Sequence, residues 1–213
     1  MDFIKRILLK DLNSNVWDFV EGYELKNFPW DKMGYKPKSV VKMFYTEKDL
    51  RVKFTATEKK VRAENTEINS SVYQDSCVEF FINPDYKNSD DYLNFEVNAI
   101  CTLLSQVGKN SREREFLSKE DIKKYINITS DVNIDNILEF DNFKPWNVEL
   151  VISFDLIKKY FPLFKTDKDK IIKCNFYKCG DKTDIPHYAC LENIDYHKPS
   201  FHRPEFFKEI LLK

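Results

Sequence analysis

Two runs near the middle of the chain alternate apolar and polar residues with a period of two: Cys77-Val78-Glu79-Phe80-Phe81-Ile82 and Tyr92-Leu93-Asn94-Phe95-Glu96-Val97-Asn98. That period predicts strands with one face on a core. In the second run Leu93, Phe95 and Val97 share the apolar face, while Tyr92, Asn94, Glu96 and Asn98 share the other. Residues 40–46 and 50–57 read as a hairpin turning through Glu47-Lys48-Asp49, with Leu50, Val52, Phe54 and Ala56 on one side. Residues 76–82 and 92–104 form a second strand pair, residues 147–154 and 171–178 two more strands, and 207–212 an edge. Helical signals are short. Ser118 is a plausible N-cap for a helix to about Tyr125, and Asp155 to Phe161 is stopped by Pro162. Many short strands with turns between them predict an all-β fold: an antiparallel β-sandwich, jelly-roll-like, with one or two short helices. It is read as one domain over residues 1–213, with residues 1–37 an irregular amino-terminal segment packed on it.

Composition narrows the classes. The chain has 213 residues, 42% hydrophobic and 15% aromatic, enough for a packed core and against disorder. Lys+Arg total 34 against 35 Asp+Glu, so no net field points to nucleic acid or an anionic membrane. The four glycines form no phosphate-cradling pattern, and no apolar run reaches the length of a membrane span. At the amino terminus Lys5-Arg6 and Lys10 break the apolar run, which is unlike a signal peptide. The chain as given is expected to be cytoplasmic, or secreted if a leader has been removed. The five cysteines (Cys77, Cys101, Cys174, Cys179 and Cys190) lack a C-x-x-C spacing and read as small core residues. A zinc set of Cys174, Cys179 and His187 has irregular intervals of five and eight.

The chemistry of interest lies on the polar strand face. One aromatic, two amides and a carboxylate are costly to bury and rich in directional hydrogen-bonding groups, which a polyhydroxylated ligand such as a sugar requires. A solvated sheet face carries the same pattern. Asp75, Glu79 and Glu96 also approach the arrangement of a glycosidase, which sets two carboxylates about 5–9 Å apart. Arg112 and Arg114 have the planar fork that suits hydroxyl or carboxylate. Trp146 reads as a core or rim anchor, and Trp17 and Trp30 as pins for the amino-terminal segment.

Tyr73-Gln74-Asp75-Ser76-Cys77-Val78-Glu79-Phe80-Phe81-Ile82 resembles the central motif of family 9 carbohydrate-binding modules, as does the hairpin before it. The segments starting at Tyr92, Trp146, Asn175 and Phe201 are similar to a bacterial branch of that superfamily, so the likeness spans roughly residues 38–213. It implies a β-sandwich that binds a mono- or oligosaccharide without cleaving it, in association with xylan- or cellulose-type degradation, with structural calcium in some members, for which Asp75, Glu79, Glu96, Asn83 and Asp85 would offer hard oxygen ligands. No catalytic residue and no certain cofactor follow from it. Carried over by position, Tyr73, Tyr188 and Phe201 would stack on the sugar. Gln74, Glu96, Asn98, Arg112, Lys178, His187 and His202 would supply hydrogen bonds. The chain departs from the branch at Ala189-Cys190-Leu191, where a tryptophan is expected; Tyr188, Tyr196 or Phe201 would then serve as the platform. Two other classes stay open. One is hydrolysis by Glu79 and Glu96; the other is haem binding by a related sandwich, with Met43, Lys178 or a histidine as axial ligand.

Overall fold

The computed structural model describes residues 3–167 and 169–213. In chain order the strands are β1 (Phe3–Ile4), β2 (Gly22–Glu24), β3 (Ser39–Tyr45), β4 (Asp49–Ala56), β5 (Cys77–Asn83), β6 (Tyr92–Asn98), β7 (Leu103–Gly108) and β8 (Arg114–Phe116). Helix α1 (Lys119–Tyr125), β9 (Ile126–Ser130), β10 (Trp146–Ser153), α2 (Phe154–Tyr160), β11 (Ile171–Cys179), β12 (Tyr188–Cys190) and β13 (Lys208–Leu212) follow. Among the described residues these strands form two sheets. The larger runs β1-β13-β11-β5-β6-β7-β8 with β12 on β11, and the smaller runs β2-β3-β4-β10-β9.

The sheets pack face to face through the alternation seen in the sequence. Val41, Met43, Val52, Phe54, Trp146, Val148 and Leu150 from the small sheet meet Val78, Phe80, Leu93, Phe95, Cys174 and Phe176 from the large one. Phe80 stacks on Phe95 and on Phe176, with centroids 6.1 and 5.0 Å apart. Both helices start as expected, with Ser118 accepting from Asp121 N–H and Ser153 from Asp155 N–H.

Three departures from the sequence reading have local causes. The strand expected over 92–104 is two strands. Asn98 Oδ1 accepts from Thr102 N–H at 2.9 Å and Cys101 adopts φ +68°, closing a tight turn. The carboxy-terminal strand is not an edge, because β1 adds to it in parallel, Phe3 opposite Leu211. The amino-terminal segment is therefore partly regular, contributing β1 and β2. It is pinned as expected: Trp17 donates to Glu149 at 2.9 Å, and Trp30 to the Tyr196 carbonyl at 2.7 Å.

The most consequential feature is the outer face of the large sheet. Every residue of β5 and β6 is buried, on both faces. A second apolar cluster (Cys77, Phe81, Tyr92, Tyr177, Cys179, Phe201 and Phe207) covers the side away from the small sheet. The loop after β12 folds back over it, its ring Phe201 stacked on Tyr177 at 4.2 Å. The polar strand face is not left wet; it becomes the floor of a cleft.

Candidate functional site

The cleft encloses about 530 Å³ on that outer face. Its floor is Glu79 of β5, Glu96 of β6 and Cys179 of β11, because residues paired across β5, β6 and β11 share the outward parity: Glu79 lies opposite Glu96 and Tyr177. Tyr73, Tyr188 and Phe201 line it with Asp181, and the β7–β8 hairpin brings Gln106, Arg112 and Arg114 to the rim. Tyr188 meets Phe201 edge to face at 6.2 Å, and Trp30 backs both rings. The result is aromatic walls over a polar floor.

The floor is short of charge. Burial lifts the Glu96 carboxyl to about 7, against the opposing pull of Arg114 and the Asn94 amide, which donates to Oε1 at 2.9 Å. Burial, with Cys179 and Glu96 as neighbours, holds Glu79 well above the usual carboxylate range. Asp181 is raised by burial too, with Tyr188 opposing. Protonated carboxyls donate and accept hydrogen bonds, a combination that matches hydroxyl groups better than a full set of anions. His202 is pushed down to about 2 by burial and by Arg114, so it is neutral, and its 3.8 Å approach to Glu96 is not a salt bridge. Its Nδ1 meets the Tyr92 hydroxyl at 2.9 Å, and its ring stacks on Phe81. Arg114 contacts His202 and Gln106, whereas the exposed Arg112 guanidinium reaches the cleft without an ion-pair partner among the described residues.

Six of the ten residues named from sequence line this cleft: Tyr73, Glu96, Arg112, Tyr188, Phe201 and His202. The other four lie elsewhere. Gln74 sits in the single helical turn of Val72–Gln74 without lining it. Asn98 donates to Asp75 Oδ2 at 2.9 Å and to the Asn65 carbonyl, building the turn after β6. Lys178 has the parity of Cys174 and Phe176, so it points between the sheets. There it meets Glu58 at 3.0 Å and His187 Nε2 at 2.9 Å, all three buried. His187 Nδ1 donates to the Ile185 carbonyl, and burial together with Lys178 holds the ring neutral. Glu79, Gln106, Arg114, Cys179 and Asp181 are cleft residues absent from that set. Outward parity with Glu96 was the available signal for Glu79; nothing in the sequence marked Gln106 or Asp181. Leu191, where a tryptophan was expected, packs against the inter-sheet core instead of the cleft.

The zinc and calcium sets do not assemble, and two of the candidate haem ligands are not available. Cys174 and Cys179 differ by an odd number of strand positions and face opposite sides of β11, so the zinc set with His187 does not form. The oxygens considered for calcium are committed elsewhere. Asp75 Oδ2 accepts from the Glu64 and Asn65 N–H groups, Asp85 pairs with Lys170 at 2.9 Å, and Glu79 is grouped with two thiols, not with the further oxygens calcium needs. These residues do not fit a calcium site. Met43 is sealed in the core and Lys178 in its ion pair, which leaves neither free as an axial haem ligand.

A two-sheet sandwich with an aromatic-walled, polar-floored cleft defines a class of small-ligand-binding β-domains. The chain belongs to carbohydrate-binding family 9, whose profile matches residues 14–212. It is similar in structure to a Bacteroides uniformis protein whose carbohydrate binding is itself inferred, with 27% identity, TM-score 0.82, and 99% of this chain and 97% of that one covered. A family 9 carbohydrate-binding module from Caldicellulosiruptor kristjanssonii in complex with cellotriose shares the fold at 15% identity and TM-score 0.63, covering 100% and 93%. The glucose complex of a family 9 module from the same organism shares it at 16% and 0.61, covering 98% and 95%. No curated protein matches the sequence significantly.

Proposed function

We propose that this protein binds a mono- or oligosaccharide non-catalytically in the outer-face cleft, in the service of xylan- or cellulose-type polysaccharide breakdown. The observation that carries the reading is the meeting of Tyr73, Tyr188 and Phe201 with Glu79, Glu96 and Asp181 around one cavity of about 530 Å³. A pyranose has apolar C–H faces that pack on rings and hydroxyls that need convergent partners, and pockets for small ligands span about 300–1,000 Å³. The glucose and cellotriose complexes of family 9 modules support a glucan-like ligand. Tyr188 and Tyr73 would supply the ring faces, the protonated floor would donate to and accept from hydroxyls, and Arg112 would hold an outer oxygen.

Calorimetric titration with glucose, cello- and xylo-oligosaccharides tests this. Binding of at least one sugar is expected, weakened at least tenfold (about 1.4 kcal/mol) in Tyr188→Ala and in Glu79→Gln. If no sugar of the panel binds, or both variants bind like the parent, the reading is wrong. A hydrolytic alternative rests on Glu79 and Glu96 standing directly opposite each other on neighbouring strands, where side-chain roots are about 5 Å apart. It predicts release of reducing sugar from the same oligosaccharides, abolished by Glu96→Gln; binding alone predicts none.

A further inference from the structure

At the floor of the cleft lies a group of side chains of which the sugar reading uses only Glu79. Cys77 on β5 is registered directly opposite Cys179 on β11, and Glu79 follows Cys77 by two positions on the same face. The three potential donor atoms, two sulfurs and a carboxylate oxygen, all lie within 4.8 Å of one another, the one such group among the described residues. Cys179 Sγ stands 3.0 Å from Glu79 Oε1. None of the three is more than 2% exposed, yet Glu79 and Cys179 reach the cleft wall, so the group opens in one direction only. Neither thiol is in a disulfide.

We propose that Cys77, Cys179 and Glu79 form a binding site for a borderline-soft divalent cation of the zinc type, with its remaining coordination position facing the cleft. With metal–sulfur bonds of about 2.3 Å and metal–oxygen bonds of about 2.0 Å, a tetrahedral ion separates its ligand atoms by roughly 3.5 Å. The observed triangle has one edge of 3.0 Å and none longer than 4.8 Å, a range that includes that separation. Two thiolates select against calcium and magnesium, which prefer oxygen. The register of the sheet supplies what spacing along the chain does not, since Cys77 and Cys179 lie 102 residues apart and meet only because β5 pairs with β11. Three ligands with one open position is the pattern of an accessible metal rather than a closed structural one. Water or Asp181, which lines the same cleft, would complete the sphere. Binding exchanges the two thiol protons and the carboxyl proton for the ion, releasing them to solvent, so affinity rises with pH. Burial holds both thiols above the ordinary cysteine range, with Lys178 behind β11 opposing it only in part, so the ion itself has to displace the thiol protons.

The test is titration of the reduced full chain with cobalt(II), followed by absorption and by competition with zinc. One ion per chain is expected, with a thiolate-to-cobalt charge-transfer band and the visible bands of tetrahedral cobalt, both bleached by zinc. Cys77→Ser and Cys179→Ser should each weaken binding at least a hundredfold, while Cys174→Ser, whose side chain faces the inter-sheet core, should leave it unchanged. Circular dichroism melts establish that each variant is folded. The parent chain alone is decisive if variants fail to fold: cobalt binding without a thiolate band, or no binding, overturns the site. A band that survives the Cys77→Ser/Cys179→Ser double substitution overturns it as well. None of these readouts requires a sugar, so the outcome is independent of the carbohydrate reading.

Discussion

Glu96 is the residue whose environment has the most measurable consequence. Its carboxyl sits at about 7 in the folded chain, against 4.5 for an unperturbed glutamate, because burial outweighs Arg114 and the Asn94 amide. Between those two values the folded state holds a proton that the unfolded state has released. The folded state is therefore favoured at the acid end of the window and loses that advantage as pH rises from about 4.5 to about 7. His187 and His202 act with the opposite sign. Their protonation is suppressed by folding, so they cost stability as pH falls below 6.5, the ordinary histidine value. Subtracting the Glu96→Gln profile from the parent profile isolates the carboxyl. Urea unfolding across this window should show the parent losing stability relative to Glu96→Gln as pH rises, by at most about 1.4 kcal/mol per pH unit. A difference that is flat with pH would place Glu96 outside the buried floor.

At the scale of elements, the β7–β8 hairpin decides how the cleft is rimmed. It holds Arg112 in its turn and Arg114 at the start of β8, and its strands approach so closely at Gly108 that a side chain does not fit. A Cβ there would lie 2.0 Å from the Glu113 carbonyl oxygen and 2.7 Å from Arg114 Cα, both backbone atoms that cannot swing aside. Gly108→Ala should therefore cost about 1–3 kcal/mol in denaturant unfolding. It should also weaken sugar binding by displacing Arg112 and Arg114, whereas a substitution in the exposed turn beside it, such as Lys109→Ala, should do neither. The register of β5 between β6 and β11 is the other determining element. It puts Glu79 beside both Glu96 and Tyr177, and Cys77 beside Cys179.

For the molecule as a whole, the two sheets are joined by more than apolar contact. Glu58, just past β4 of the small sheet, and Lys178, on β11 of the large one, form a buried ion pair at 3.0 Å. Ser76 donates to Glu58 at 2.9 Å, and the Lys178 ammonium lies 5.7 Å from the Trp146 ring. Removing one partner strands a charge in the interior, so Lys178→Met should destabilise the fold by about 3–5 kcal/mol. Lys178→Met combined with Glu58→Leu should cost less than the single change, since no charge is then left alone. Unfolding midpoints of the parent, Lys178→Met, Glu58→Leu and the double variant check this, and a double variant as damaged as the sum of its singles would show the pair to be uncoupled.

How much was legible follows the same scales. For the longer strands β3 to β6, β10 and β11, identity and core face were written in the chain, whereas β1, β2, β8, β9 and β12 were not read from it. Alternation at Val78, Phe80, Leu93, Phe95 and Val97 fixes which side turns inward, because a strand places successive side chains on opposite faces. The start of α1 was readable from Ser118 and the end of α2 from Pro162, since caps and breakers act locally. Lys178 was read as a ligand contact from its type, although it shares the β11 parity of Cys174 and Phe176, which face the core. Only the tertiary structure decided which outward-facing residues meet. Gln106 and Asp181 join Glu79 at one cleft, Cys77 reaches Cys179, and Asn98 is drawn into a turn, because strand order and loop return are set by packing between segments far apart in sequence. Period-two patterning records the face of each strand, but it carries no record of the strand that will lie beside it.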